Sequence, residues 1–110
     1  RNQRQMQPEF MYRAVAEGEV DVITAYTSDG QIATYDLTVL ADVKHAIPSY
    51  DAILLVSPKR ASDDKLLAAL KPLVGSIDVA TMRETNARAT NGGDTPDGAA
   101  RWLWERVGKK

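Results

Sequence analysis

At 110 residues the chain has room for one domain with a modest core. Its 44% hydrophobic and 26% charged content is ordinary for a soluble globular chain, and a net charge of −1 gives no basic surface for nucleic acid. No apolar run approaches the length needed to cross a bilayer, and the absence of cysteine excludes disulfides and thiolate metal sites.

The opening Arg1-Asn2-Gln3-Arg4-Gln5 is not a signal peptide, and a start without Met reads as a processed or truncated product. Pro8 to Glu17 follows as a short helix. Pro8 suits its first turn, Phe10, Met11, Ala14 and Val15 recur at near-helical spacing, and Gly18 is placed to end it. Val20 to Ala25 is apolar and β-branched apart from Asp21 and Thr24, which predicts a strand buried on at least one face. Thr27-Ser28-Asp29-Gly30 is a turn. Ser28 with Gln31 fits a capping box, so a short helix is expected from about Asp29 to Tyr35. Leu37 to Leu40 reads as a second strand.

Ala41 to Ser49 is polar, contains the only histidine, His45, and ends near Pro48; it reads as a linker. Ala52 to Val56 is a third short strand, and Pro58 to Ser62 a turn. Asp63 or Asp64 can cap a helix carrying Leu66, Leu67 and Leu70, which Pro72 should kink or end. Asp78 can cap the next helix, with Met82 inward. After the loop Asn91-Gly92-Gly93-Asp94, Thr95 as cap and Pro96 at the first helical position start a last helix through about Val107, with Gly108-Lys109-Lys110 fraying. Trp102 and Trp104 lie two apart on it and so point to different sides, one into the core.

Catalysis finds little support. There is no Gly-x-Ser-x-Gly elbow, no cysteine nucleophile and no phosphate-binding glycine loop. Asp21, Asp29 and Asp36 are each explained by turns and helix ends, and a lone His45 makes no metal site. The expectation is no enzyme, no cofactor and no metal. Tyr26 and Tyr50 are the residues of interest, each beside turn residues at the edge of an ordered segment. On the residues alone they close strand ends against a core. Rings in that position can also be aimed at a cleft, where tyrosine faces attract a quaternary ammonium cation.

Four blocks favour the second reading. They are Phe10-Met11-Tyr12-Arg13-Ala14-Val15 with Gly18-Glu19-Val20-Asp21-Val22; Ala25-Tyr26-Thr27-Ser28-Asp29-Gly30-Gln31-Ile32; Tyr35-Asp36-Leu37-Thr38-Val39-Leu40 with Pro48-Ser49-Tyr50-Asp51-Ala52; and Met82-Arg83-Glu84 with Asn86, Thr95-Pro96 and Trp102-Leu103. In order and spacing they resemble the C-terminal part of the ABC-transporter binding proteins for glycine betaine, choline and related osmoprotectants. Gln31 departs from the resemblance, standing where that family usually has Arg, and Ala46-Ile47-Pro48-Ser49 replaces a more aromatic run.

The resemblance implies part of a two-lobed, α/β, periplasmic-binding-protein fold of type 2. Residues 1–40 would be part of one lobe, 41–49 a hinge, and 50–110 the C-terminal part of the other. It implies a periplasmic or extracytoplasmic solute-binding component that serves an ABC permease and binds glycine betaine, choline, carnitine or a similar ligand. Tyr26 and Tyr50 would line its tyrosine cage. Thr27 is a weaker candidate through its hydroxyl or N–H; Asp29 is chiefly a helix-start residue, with a supporting place beside the pocket as its other reading. The rest of the cage, and the groups that hold the ligand carboxylate, would lie in a missing N-terminal half. The rival expectation is a stand-alone module that binds no solute and uses its apolar faces to pair with itself or with another chain.

Overall fold

A computed structural model describes residues 3–108. Helix α1 spans Pro8–Ala16. Proline costs nothing at its start, because the first helical N–H groups have no intrahelical partner and proline's φ is already helical. Tyr12 and Ala14 are its buried residues. Beyond it Gly18 takes φ 76°, and the N–H groups of Glu17, Gly18 and Glu19 return to the carbonyls of Arg13, Val15 and Ala14. Glycine makes that left-handed reversal without a Cβ clash, so the expected stop is where the sequence puts it.

Helix α2 spans Gly30–Thr34, α3 Asp64–Leu70, α4 Val79–Thr90 and α5 Pro96–Val107. Short 3₁₀ turns, Pro58–Arg60 and Lys71–Leu73, precede and follow α3. Two caps form as the sequence predicts: Asp63 accepts from the Leu66 N–H at 3.1 Å, and Thr95 from the Gly98 N–H at 3.1 Å. Pro72 ends α3 at Leu70, since it has no N–H to continue the ladder. The fraying expected of Lys109 and Lys110 lies outside the described residues, as do the terminal Arg1 and Asn2.

The chain forms two compact units, one of the described residues up to Val39 together with those from Val79, the other Leu40–Asp78. In the first, α4 packs on α2 and on α5. Its small core holds Tyr12, Ala14, Ile32, Ala99 and Thr85, whose hydroxyl is satisfied by the Thr81 carbonyl at 2.8 Å. The α2–α4 contact is backbone on backbone: a Cβ added to Gly30 would lie 2.3 Å from the Ala87 nitrogen. Trp102 is half-buried, with the guanidinium carbons of Arg88 and Arg106 at 4.3 and 4.9 Å from its ring centroid, while Trp104 is exposed.

In the second unit, Asp42 closes the start of the Ala41–Ser49 segment on itself. Its carboxylate accepts from the Ile47 N–H at 2.7 Å and the Ala46 N–H at 3.0 Å, and those bonds hold its pKa below the usual carboxylate range. His45 is exposed there at φ 49°. Leu54, Leu67 and Val74 line an open apolar hollow of about 330 Å³.

None of the three runs read as strands pairs among the described residues, which are helices and irregular segments, so the α/β character expected from the sequence is not seen in them. The runs have the composition of strands, but a strand exists only where a neighbouring edge takes its N–H and C=O groups. Val22 is 67% and Leu55 86% exposed, so no sheet face is covered here. The compact units group α4 and α5 with residues up to Val39. The close α2–α4 contact at Gly30 makes that grouping.

Candidate functional site

The residues between α1 and α2 end in a four-residue turn, Tyr26-Thr27-Ser28-Asp29, closed by the Asp29 N–H donating to the Tyr26 carbonyl at 3.0 Å. Asp29 occupies the cap position of α2, yet its side chain makes no cap bond. The carboxylate instead accepts from the Tyr12 hydroxyl, and at 3.4 Å from the N–H of Tyr26. The Ser28–Gln31 capping box does not form, because the cap position falls on Asp29 and Gln31 Oε1 accepts from Asn91 instead. The helix starts at Gly30 rather than Asp29, and Ser28 is used through its backbone.

Tyr12 is buried, and burial is the largest of the causes that push its hydroxyl pKa up. Its hydrogen bond to Asp29 and the charge of that carboxylate act in the same direction. The phenol therefore stays protonated and donates, while the carboxylate accepts. A bond of that kind, with one ionised partner, is stronger than a neutral one.

Helix α4 holds the other side of the turn. Arg83 donates through Nε to the Thr27 carbonyl at 2.8 Å, and Asn86 through Nδ2 to the Ser28 carbonyl at 2.8 Å. Spaced three apart, the two side chains share a helix face and reach successive carbonyls. Just beyond the turn, Asn91 donates to Gln31 Oε1 and to Thr34 Oγ1, both at 2.9 Å. Gln31 thus acts as an acceptor, a part that an arginine has no atom to play.

The turn unites three of the four residues singled out from the sequence. Tyr26 leaves it 58% exposed, Thr27 gives its carbonyl to Arg83, and Asp29 ties the turn to Tyr12. Tyr50 belongs to the second unit, 83% exposed, beside a Ser49–Asp51 hydrogen bond of 2.8 Å. Tyr12, Arg83 and Asn86, which hold this turn, enter the sequence reading only within the blocks that carry the resemblance and not as candidate site residues. Tyr12 is buried, yet it lies on a predicted helix whose expected apolar positions, Phe10, Met11, Ala14 and Val15, do not include it. Arg83 and Asn86 carry a weak signal, two donors on one face of a helix with few apolar residues. Among the described residues, no group of three or more His, Cys, Asp and Glu side chains is arranged to hold a metal ion, and no helix is long and apolar enough to cross a membrane. The arrangement is a braced turn with a partly exposed aromatic ring.

Comparison with known proteins bears on what such a turn serves. The family described as the substrate binding domain of ABC-type glycine betaine transport system matches residues 1–106. The chain is 33% identical over 85 residues to the carnitine transport binding protein OpuCC of Listeria monocytogenes, a match covering 76% of this chain and 28% of that protein. It is 33% identical over 98 residues to a glycine-betaine-binding protein of Pseudomonas aeruginosa, covering 88% of this chain and 32% of the relative. The chain thus spans about a third or less of the length of these relatives. No solved structure matches it significantly.

Proposed function

The chain belongs to the family of substrate-binding domains of ABC-type glycine betaine transport systems, and from that premise we propose that it takes part in binding a quaternary ammonium osmoprotectant for uptake. Glycine betaine and carnitine, the ligands in the relatives' names, are the leading candidates, with choline a third of the same chemistry. The observation that carries the reading is the turn at Tyr26: a half-exposed aromatic ring on a backbone fixed by Tyr12, Arg83 and Asn86. Tyr50 offers a second ring. Trimethylammonium carries no N–H and is weakly hydrated, so the negative face of a ring suits it better than directed hydrogen bonds do. The reading places the protein outside the cytoplasm, working with an ABC permease. It also takes Val20–Ala25, Leu37–Leu40 and Ala52–Val56 as strands of an α/β binding-protein fold, paired with segments supplied from beyond this sequence.

Titration calorimetry with glycine betaine tests the proposal. Tyr26→Ala and Tyr50→Ala should each weaken binding by about 1–2 kcal/mol, with smaller losses for phenylalanine, which keeps the π face. Glycine, whose amine prefers directed hydrogen bonds, should bind more weakly than glycine betaine. Unchanged affinity in both alanine variants, or equal binding of glycine, would sink the idea.

A second reading, self-association, is favoured by the second unit, where Leu54 and Val74 stand open on the apolar hollow and Val74 is 72% exposed. Apolar surface of that kind marks association. Sedimentation at micromolar concentration is expected to show a dimer or larger species. A stable monomer with sharp thermal unfolding would exclude this reading.

A further inference from the structure

Most turns on a protein surface are held by their own hydrogen bonds. The Tyr26–Asp29 turn also has its two central carbonyls, those of Thr27 and Ser28, taken by side chains from far along the chain. A carbonyl at the surface is served equally well by water, so these two bonds add little to the pairing of the backbone. What they do add is direction. With one carbonyl fixed by the flat guanidinium of Arg83 and the next by the amide of Asn86, the peptide planes on either side of Ser28 lose their freedom to rotate. The Cα of Tyr26, from which the ring projects, sits one residue before that fixed pair.

We infer that Arg83 and Asn86 are positioning residues for Tyr26: they hold the turn in the one backbone arrangement that aims its ring at the ligand, and so set affinity and selectivity without touching the ligand themselves. The inference rests on the ligand role given above to Tyr26. Its energetic basis is population. A turn that visits several arrangements binds through only one of them, and its apparent affinity falls by the fraction of time spent there. Pre-organisation by a second element removes that loss. Tyr12 braces the same turn through Asp29, but it is also part of the core, so its removal disturbs packing as well as aim. Arg83 and Asn86 are only partly buried, which makes them the cleaner probes.

Two measurements on the full chain decide it. The first is amide hydrogen exchange at Asp29, whose N–H closes the turn on Tyr26. Exchange there should quicken by about tenfold or more in Arg83→Ala and Asn86→Ala, while amides within α5 keep their protection, as expected for a local rather than global opening. Arg83→Lys, which restores a cationic donor without the planar fork, should recover part of the protection. Unchanged exchange at Asp29 in both alanine variants overturns the inference.

The second measurement is a double-substitution cycle read by glycine betaine affinity. Asn86→Ala alone should raise Kd about tenfold, the consequence of a competent turn populated about a tenth of the time. In a Tyr26→Ala background the same change should do almost nothing, because there is no ring left to aim. A purely structural role for Asn86 would weaken binding equally in both backgrounds, and that additive result also overturns the inference. If Tyr26→Ala leaves affinity unchanged, or the wild-type chain binds no glycine betaine, the ligand reading of Tyr26 fails, and the aiming role falls with it even where exchange shows the brace. The two arms thus fail in distinguishable ways.

Discussion

Gly30→Ala is expected to lower the unfolding free energy by about 3 kcal/mol, the upper end of what overpacking a core costs. The reason is what the new methyl group would strike. Its carbon would lie 2.3 Å from the Ala87 nitrogen, 2.5 Å from the Ala87 Cα and 2.7 Å from the Asn86 carbonyl carbon, all backbone atoms of α4. A side chain can rotate away from an intruder, but a helix backbone must move as a body. To make room α2 and α4 would have to part, drawing Asn86 from the Ser28 carbonyl and Asn91 from Gln31. Gly18→Ala is the control. Gly18 has open space around its missing Cβ and only a left-handed φ of 76° to lose, at about 1–2 kcal/mol. Urea unfolding followed by circular dichroism should therefore rank Gly30→Ala below Gly18→Ala, and both below wild type. A Gly30→Ala protein as stable as wild type would show that the two helices do not meet there.

Tyr12→Phe should cost about 2 kcal/mol, the ordinary worth of a hydrogen bond to a charged group. It should also change how stability depends on alkali. With its pKa raised in the folded protein, the Tyr12 phenol is protonated in both states below about pH 10, and its contribution is then fully present. Above that pH the unfolded chain releases the proton while the folded chain still keeps it. Unfolding is then favoured, and the contribution drains away as pH climbs toward the raised folded value. Wild type should accordingly lose stability as pH rises above about 10, and Tyr12→Phe should lack that component. Asp29→Asn should soften the alkaline loss without abolishing it, because burial, the largest cause of the shift, remains. Identical alkaline limbs in wild type and Tyr12→Phe would remove the argument.

How much of this was readable in advance follows from how far apart the interacting groups lie. Helices α1, α3 and α5 are in the sequence because their signals are local. A proline starts α1 and α5, Gly18 and Pro72 stop α1 and α3, and Asp63 and Thr95 cap N–H groups three residues ahead. A turn holding Thr27 and Asp29 is readable for the same reason, though it begins at Tyr26, one residue before the expected Thr27-Ser28-Asp29-Gly30. What each residue does there is not readable.

Arg83 and Asn86 reach the turn across 56 and 58 residues, and nothing in the spelling of either neighbourhood names the other. Asp29 shows the difference most plainly. Its local chemistry predicts a helix-start residue behind a Ser28 cap; it stands at the cap position itself, but Tyr12 lies close enough to claim the carboxylate. Gly30 reads as the second half of a turn dipeptide, yet it is glycine that lets α4 approach to backbone contact. The three apolar runs show the converse. Their composition is a strand's, but a ladder needs a second edge, and composition cannot supply one. Caps, stops and turns are settled by residues three or four apart. Clamps, close helix crossings and sheets depend on which distant backbone arrives alongside, and that is decided when the chain packs.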